Sequence, residues 1–175
     1  MKIGMITDSL GSLSFDDMLA ASAELSLETL EFACGNWSSA PHIDLARMLE
    51  SEGTRREFMA KVKDHGLSIA ALNCSGNPLH PGPQGPKHHQ ATLDTIRLAS
   101  LMGIDRVVMM SGLPGGPGDA NPNWIITDWP PECLEILKYQ WDRKTHPLLA
   151  RPRRLRQRSR HSQAVPRAAR PSSRL

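Results

Sequence analysis

No acidic residue follows Asp142. From Arg143 to Leu175 there are 11 Lys and Arg against no Asp or Glu, a formal +11; from Met1 to Asp142 there are 10 against 18, a formal −8. The overall +3 is the sum of two unlike segments. Cysteine is scarce: Cys34, Cys74 and Cys133 stand far apart with no CxxC pair, which excludes a disulfide framework and a zinc knuckle and points to a reducing compartment. Aromatic residues make up 5% of the chain, and none follows Trp141, so the basic segment lacks the rings on which single-stranded nucleic acid stacks. No apolar run approaches the ~18 residues of a membrane span. The run Ile3 to Ile6 is too short for a signal peptide and reads as a buried strand. These absences predict a soluble, cytoplasmic protein without a membrane partner.

Residues 1–142 carry a repeated order of strand, loop and helix. Apolar runs at Lys2 to Thr7, Thr29 to Ala33, Leu67 to Asn73 and Ile104 to Met110 predict four strands. Helices are predicted from Ser14, where Asp16 and Asp17 fall in the positive first turn, over Ile43 to Ser51, over Thr54 to His65, from about His88 to Met102, and from about Glu132. Gly66 and Gly103 are placed as C-terminal stops. The strands are apolar on both faces, the pattern of a parallel sheet covered by helices. Loops after the strands are long and polar, whereas those before the third and fourth are tight. That asymmetry fits a (β/α) barrel, whose chemistry sits at the strand C-terminal ends. A doubly wound sheet is the alternative, but no strand is followed by a GxGxxG turn.

Several strand-end stretches are similar to one family: Met1-Lys2-Ile3-Gly4-Met5, Leu30-Glu31-Phe32, Leu72-Asn73-Cys74-Ser75-Gly76-Asn77-Pro78-Leu79-His80-Pro81, and Val107-Val108-Met109-Met110-Ser111-Gly112. Over residues 1–142 the chain resembles the sugar phosphate isomerase/epimerase family, the xylose isomerase-like TIM barrels. The loop with Pro122-Asn123-Trp124 and Asp128-Trp129-Pro130-Pro131-Glu132 looks like one subgroup. The resemblance implies metal-dependent proton transfer next to the carbonyl of a sugar or sugar phosphate, with Mn, Mg, Zn or Co as the divalent ion. Such barrels have eight strands and ~250 residues. This chain shows four, and the resemblance puts the metal ligands mainly on the later strands, so no complete metal site is expected here.

Glu31 is the candidate acid or base, matching a family residue near the substrate; a solvated strand-end acid is the plain alternative. His80, between Pro78 and Pro81, is a candidate substrate contact, with a lone surface histidine as its alternative. Asn73 and Asp8 are strand-end candidates of the same kind. Trp37, Trp124 and Trp129 either stack on a sugar or plug the loops together. His88 and His89 open a helix and are placed outside the mouth. The run Gly112 to Gly118 lacks the ending of a phosphate-binding loop and reads as a mobile lid.

Residues 143–175 have no apolar period and are expected to be disordered. An out-of-frame continuation of a truncated barrel gene is one reading. A basic arm that binds nucleic acid non-specifically is a second, and a targeting segment is a third. The first predicts weak or no activity. It also predicts an open sheet whose exposed edges leave the chain aggregated, molten or dimerised through them.

Overall fold

The structure, a computed structural model, describes residues 1–127 and 129–150. The expectations for residues 151–175, including an arm for nucleic acid, fall outside the described residues. Four strands form one sheet: β1 (Gly4–Ile6), β2 (Thr29–Ala33), β3 (Ser68–Asn73) and β4 (Val107–Val108). Their order is β1-β2-β3-β4 and every pairing is parallel. Around them run a 3-10 turn (Thr7–Leu10) and the helices α1 (Phe15–Glu24), α2 (Leu45–Glu50), α3 (Glu52–Asp64), α4 (Gln84–Met102) and α5 (Glu132–Tyr139), the last continuing into a π-helical segment (Gln140–Thr145). The class is α/β with a parallel sheet.

Local chemistry explains most boundaries. Ser14 caps α1 by accepting from the Asp17 N–H at 3.2 Å, and its hydroxyl donates to the Asp17 carboxylate at 2.6 Å. Asp44 caps α2, and Ser51 ends α2 while capping α3. Arg55 then reaches back from α3 to donate to the Met48 and Leu49 carbonyls, which α2 leaves open at its end. Gly103 closes α4 at φ +70, a left-handed conformation that costs glycine little.

The core lies between one sheet face and the helices. Leu30, Phe32 and Leu72 project from β2 and β3 into Met18 and Leu19 of α1, Phe58 and Val62 of α3, and Leu98 of α4. All three phenylalanines meet there: Phe15 stacks on Phe58 at 4.7 Å, and Phe32 meets Phe58 edge-on at 4.9 Å. Such pairs contribute about 0.5–1.5 kcal/mol beyond their area. The opposite sheet face has no helix layer among the described residues. It carries Glu31, Asn73 and Val108, the last 40% exposed.

Three larger differences from expectation have a physical reason or a consequence. The strand expected over Ile104 to Met110 forms ladder pairs only at Val107–Val108, because only Leu72 and Asn73 of β3 stand opposite it. α4 begins four residues before His88, with Pro86 inside the first turn, where a missing N–H costs nothing. Helical order also crosses the charge break: residues 143–150, expected to be disordered, continue the π segment and a further helical stretch.

Candidate functional site

Parallel strands bring the loops that follow them to one end of the sheet, and six candidate residues stand in or after strands. Asp8 lies in the turn after β1, Glu31 in β2, Trp37 after β2, Asn73 at the end of β3, His80 after β3 and Trp124 after β4.

Glu31 is half-buried on the open face, and Asn73 Nδ2 donates to its Oε1 at 2.6 Å. Asn73 is 8% exposed, and its Oδ1 accepts the Ser75 N–H at 2.8 Å. That second bond orients the amide: with the oxygen committed to Ser75, the NH₂ group faces Glu31. The register sets the pair up, since Ala33 stands opposite Asn73 and Glu31 opposite Ala71, placing both side chains on one face. A register shift between Leu30 and Glu31 occurs beside this carboxylate.

The other candidates serve the loops first. Asp8 Oδ1 accepts from the Ser38 hydroxyl at 2.9 Å, tying the loop after β1 to the loop after β2. His80 Nδ1 accepts the Gly82 N–H at 3.0 Å, so only its Nε2 is left to face a ligand. Trp37 is 61% exposed and meets His88 edge-on at 6.2 Å. Trp124 packs edge-on against Trp141 at 5.1 Å, which is the plugging arrangement. Among the described residues, the hydrogen bonds and ring contacts join Glu31 to Asn73 and leave His80 and Trp124 apart from both.

The residue that organises this end is Asn77, which the reading of the sequence did not single out. It is 4% exposed; its Oδ1 accepts from the Leu113 N–H at 2.7 Å and the Leu79 N–H at 3.2 Å, and its Nδ2 donates to the Leu113 carbonyl at 2.9 Å. Its own N–H donates to His88 Nδ1 at 2.8 Å. His88 is therefore a bracket for the loop after β3. Asn36 adds a further stitch, donating to the Cys74 carbonyl at 2.8 Å. The available signal was the Asn-Pro dipeptide 77–78, a turn former with a side chain able to mimic backbone.

Asn77 also corrects the lid expectation. Leu113 is held at both backbone groups, and Pro114, Gly115 and Gly116 are buried. The Gly116 N–H and the Asn123 amide both donate to Asp119 at 2.9 Å; those bonds, that of Asn123 first, hold the Asp119 carboxyl below the usual carboxylate range. The run from Gly112 to Gly118 is a pinned loop.

Under this end lie two buried thiols. Burial pushes Cys34 up from 9.0 to about 12, with the neighbouring Cys74 adding to the rise, and burial raises Cys74 as well. They are inert packing groups. A cavity of about 940 Å³ opens at the other end of the sheet, lined by Lys2, Thr29, Ser68 and Arg106 among others. It lies at the strand N-terminal ends, away from Glu31, so its size does not make it the site.

The fold and this end together define a parallel α/β protein with a carboxylate, Glu31, held by Asn73 on the open sheet face. No protein-family model matches the chain. It is 49% identical over 145 residues to a Bacillus subtilis (strain 168) protein named "Uncharacterized protein YfiH"; the alignment covers 81% of this chain and 46% of that protein. The chain thus spans about half the length of the curated relative it matches. No helix among the described residues is long and apolar enough to cross a membrane.

Proposed function

We propose that the chain is half of a (β/α) barrel of the sugar phosphate isomerase/epimerase type, and that its strand-end site moves a proton next to the carbonyl of a sugar or sugar phosphate. The observation that carries this reading is the Glu31 carboxylate on the open sheet face, gripped by Asn73 at 2.6 Å. A base for carbon acids has to be aimed, and the Asn73 amide aims it through one oxygen while leaving the other free to work. The sequence motifs around Glu31, Asn73 and His80 support the same reading.

The divalent metal implied by the resemblance finds no donor set here. Among the described residues no group of three or more His, Cys, Asp or Glu comes together, and Nδ1 of His80 is taken by Gly82. The step assigned to this chain is the carboxylate's own. Glu31 removes the proton from the carbon beside the carbonyl, leaving the electron pair as an enediolate. In isomerisation Glu31 returns the proton to the former carbonyl carbon while the neighbouring hydroxyl proton passes to the former carbonyl oxygen; in epimerisation solvent supplies a proton to the opposite face of the first carbon, and Glu31 releases its own to solvent. Trp37, exposed beside His88, offers an aromatic ring to the apolar face of a sugar.

The test is deuterium uptake. In D₂O, a panel of ketopentoses, ketohexoses and their phosphates is incubated with the chain, and label at the carbon beside the carbonyl is followed by NMR. Glu31→Gln is expected to slow uptake by about 10²–10⁴-fold. Uptake that is absent across the panel, or unchanged by the substitution, overturns the assignment.

A further inference from the structure

Among the described residues, β1 pairs only with β2 and β4 only with β3. In β4 the ladder uses the Arg106 and Val108 carbonyls, which accept from the Leu72 and Cys74 N–H groups. Backbone groups alternate sides along a strand, so those of Val107 and Met109 point outward from the sheet. Apolar side chains in and just after β4 are exposed too, Val108 at 40% and Met110 at 47%, as are Ile126 and Trp129 of the following loop at 89% and 74%. An unpaired edge beside exposed apolar side chains is a surface suited to being covered.

We propose that two copies of this chain close a single eight-stranded barrel, β4 of each lying beside β1 of the other. Three considerations select a second copy as the occupant. A two-fold axis along the strand direction leaves that direction unchanged, so both new pairings are parallel, like the three already present. The same operation satisfies both edges at once and closes the assembly, since β1 meets the partner's β4 as β4 meets the partner's β1. Pairing β4 against β4 would be antiparallel and leave both β1 edges bare. Finally, four strands in sequential order are half of the number at which a barrel interior is filled by side chains. The curated relative has more chain outside the matched region than inside it, 46% being matched.

Closure changes the site. Glu31 and Asn73 of both copies would face one lumen, related by the axis, so that the mouth holds two carboxylates where one chain supplies one. One can then act as base while the other returns the proton, a division that a lone carboxylate cannot make. This catalytic consequence rests on the isomerase/epimerase reading; the assembly itself does not.

Sedimentation equilibrium of the full chain tests it. The expected mass is twice 19.3 kDa and stops there. A single-chain mass with a cooperative melt overturns the proposal, as does a mass that keeps growing with concentration. Val108→Asp with Met110→Asp should halve the mass while circular dichroism stays native, because both side chains face solvent in one chain and a lumen in two. A folded double variant that remains a dimer overturns it. Should that variant not fold, Val108→Cys on a Cys133→Ser background gives a second reading. Maleimide labelling at residue 108 should be slow where the mass is doubled and fast after dilution to single chains, and a rate independent of concentration overturns the proposal. A dimer with these properties but no deuterium uptake would sink the isomerase reading and leave the assembly standing.

Discussion

Asn77 shows how much one side chain can hold. Four hydrogen bonds join it to Leu79, Leu113 and His88, the one from Leu79 buried and the other three part-buried. Asn77→Ala removes three of them and strands the Leu113 and Leu79 N–H groups, each worth about 1–3 kcal/mol when buried without a partner. A clear drop in thermal midpoint is expected by calorimetry, and an unchanged midpoint would show that solvent already serves those groups. Gly112 next to it is constrained twice: its φ is +94, and an added Cβ would sit 2.6 Å from Asn77 Oδ1. Gly112→Ala should cost about 1–3 kcal/mol from backbone strain alone. Cys34 makes a pH prediction. Its folded pKa of about 12 lies above the ordinary 9.0, so folding retains a proton that the unfolded chain loses. The thiol's contribution is intact below pH 9.0 and declines as pH rises toward about 12. Cys34→Ala or Cys34→Ser should flatten that alkaline decline in a denaturant titration. The same burial predicts that a thiol reagent modifies the half-buried Cys133 first and reaches Cys34 and Cys74 only on unfolding.

Elements were legible where their boundary chemistry is local. β2 runs over Thr29–Ala33 as read, because five residues of mostly β-forming character end at Cys34 and Gly35. α1 begins after Ser14 as read, since the cap is a short-range bond within four residues. Ser14→Ala should therefore cost about 0.5–2 kcal/mol, measurable by urea denaturation with an unchanged slope. β4 was over-read, because an apolar run reports burial and says nothing about how many opposite residues will pair. The end of α5 was hidden for a different reason. Gln140 is fully buried and bonds across to the loop, donating to the Asn123 carbonyl at 2.9 Å and accepting from the Ile125 N–H at 3.2 Å. Those partners lie 15 to 17 residues away. A π turn, in which the Thr145 hydroxyl donates to the Gln140 carbonyl at 2.9 Å, keeps that carbonyl satisfied. Gln140→Leu should leave α5 helical but free the loop around Trp124, read as a rise in Trp124 exposure to acrylamide quenching.

For the whole molecule, the decisive feature is a sheet covered on one side. The three phenylalanines and the leucines of β2 and β3 build a sound core against α1, α3 and α4, while Glu31, Val108 and Met110 are left on the other face or at its rim. The chain's charge break at Asp142 and Arg143 suggested that order ends there, yet helical structure runs to residue 150. Alternating apolar runs, caps and glycine stops determined the class, the number of strands and their parallel sense, because each depends on neighbours close in sequence. The candidate list at the strand ends followed from the same reasoning. Only the tertiary structure decided which candidates meet: Glu31 with Asn73, Asp8 with Ser38, Trp37 with His88, and Trp124 with Trp141. Those contacts depend on sheet register and on loops stitched by Asn77 and Asn36, and a linear pattern carries no register between strands some 40 residues apart.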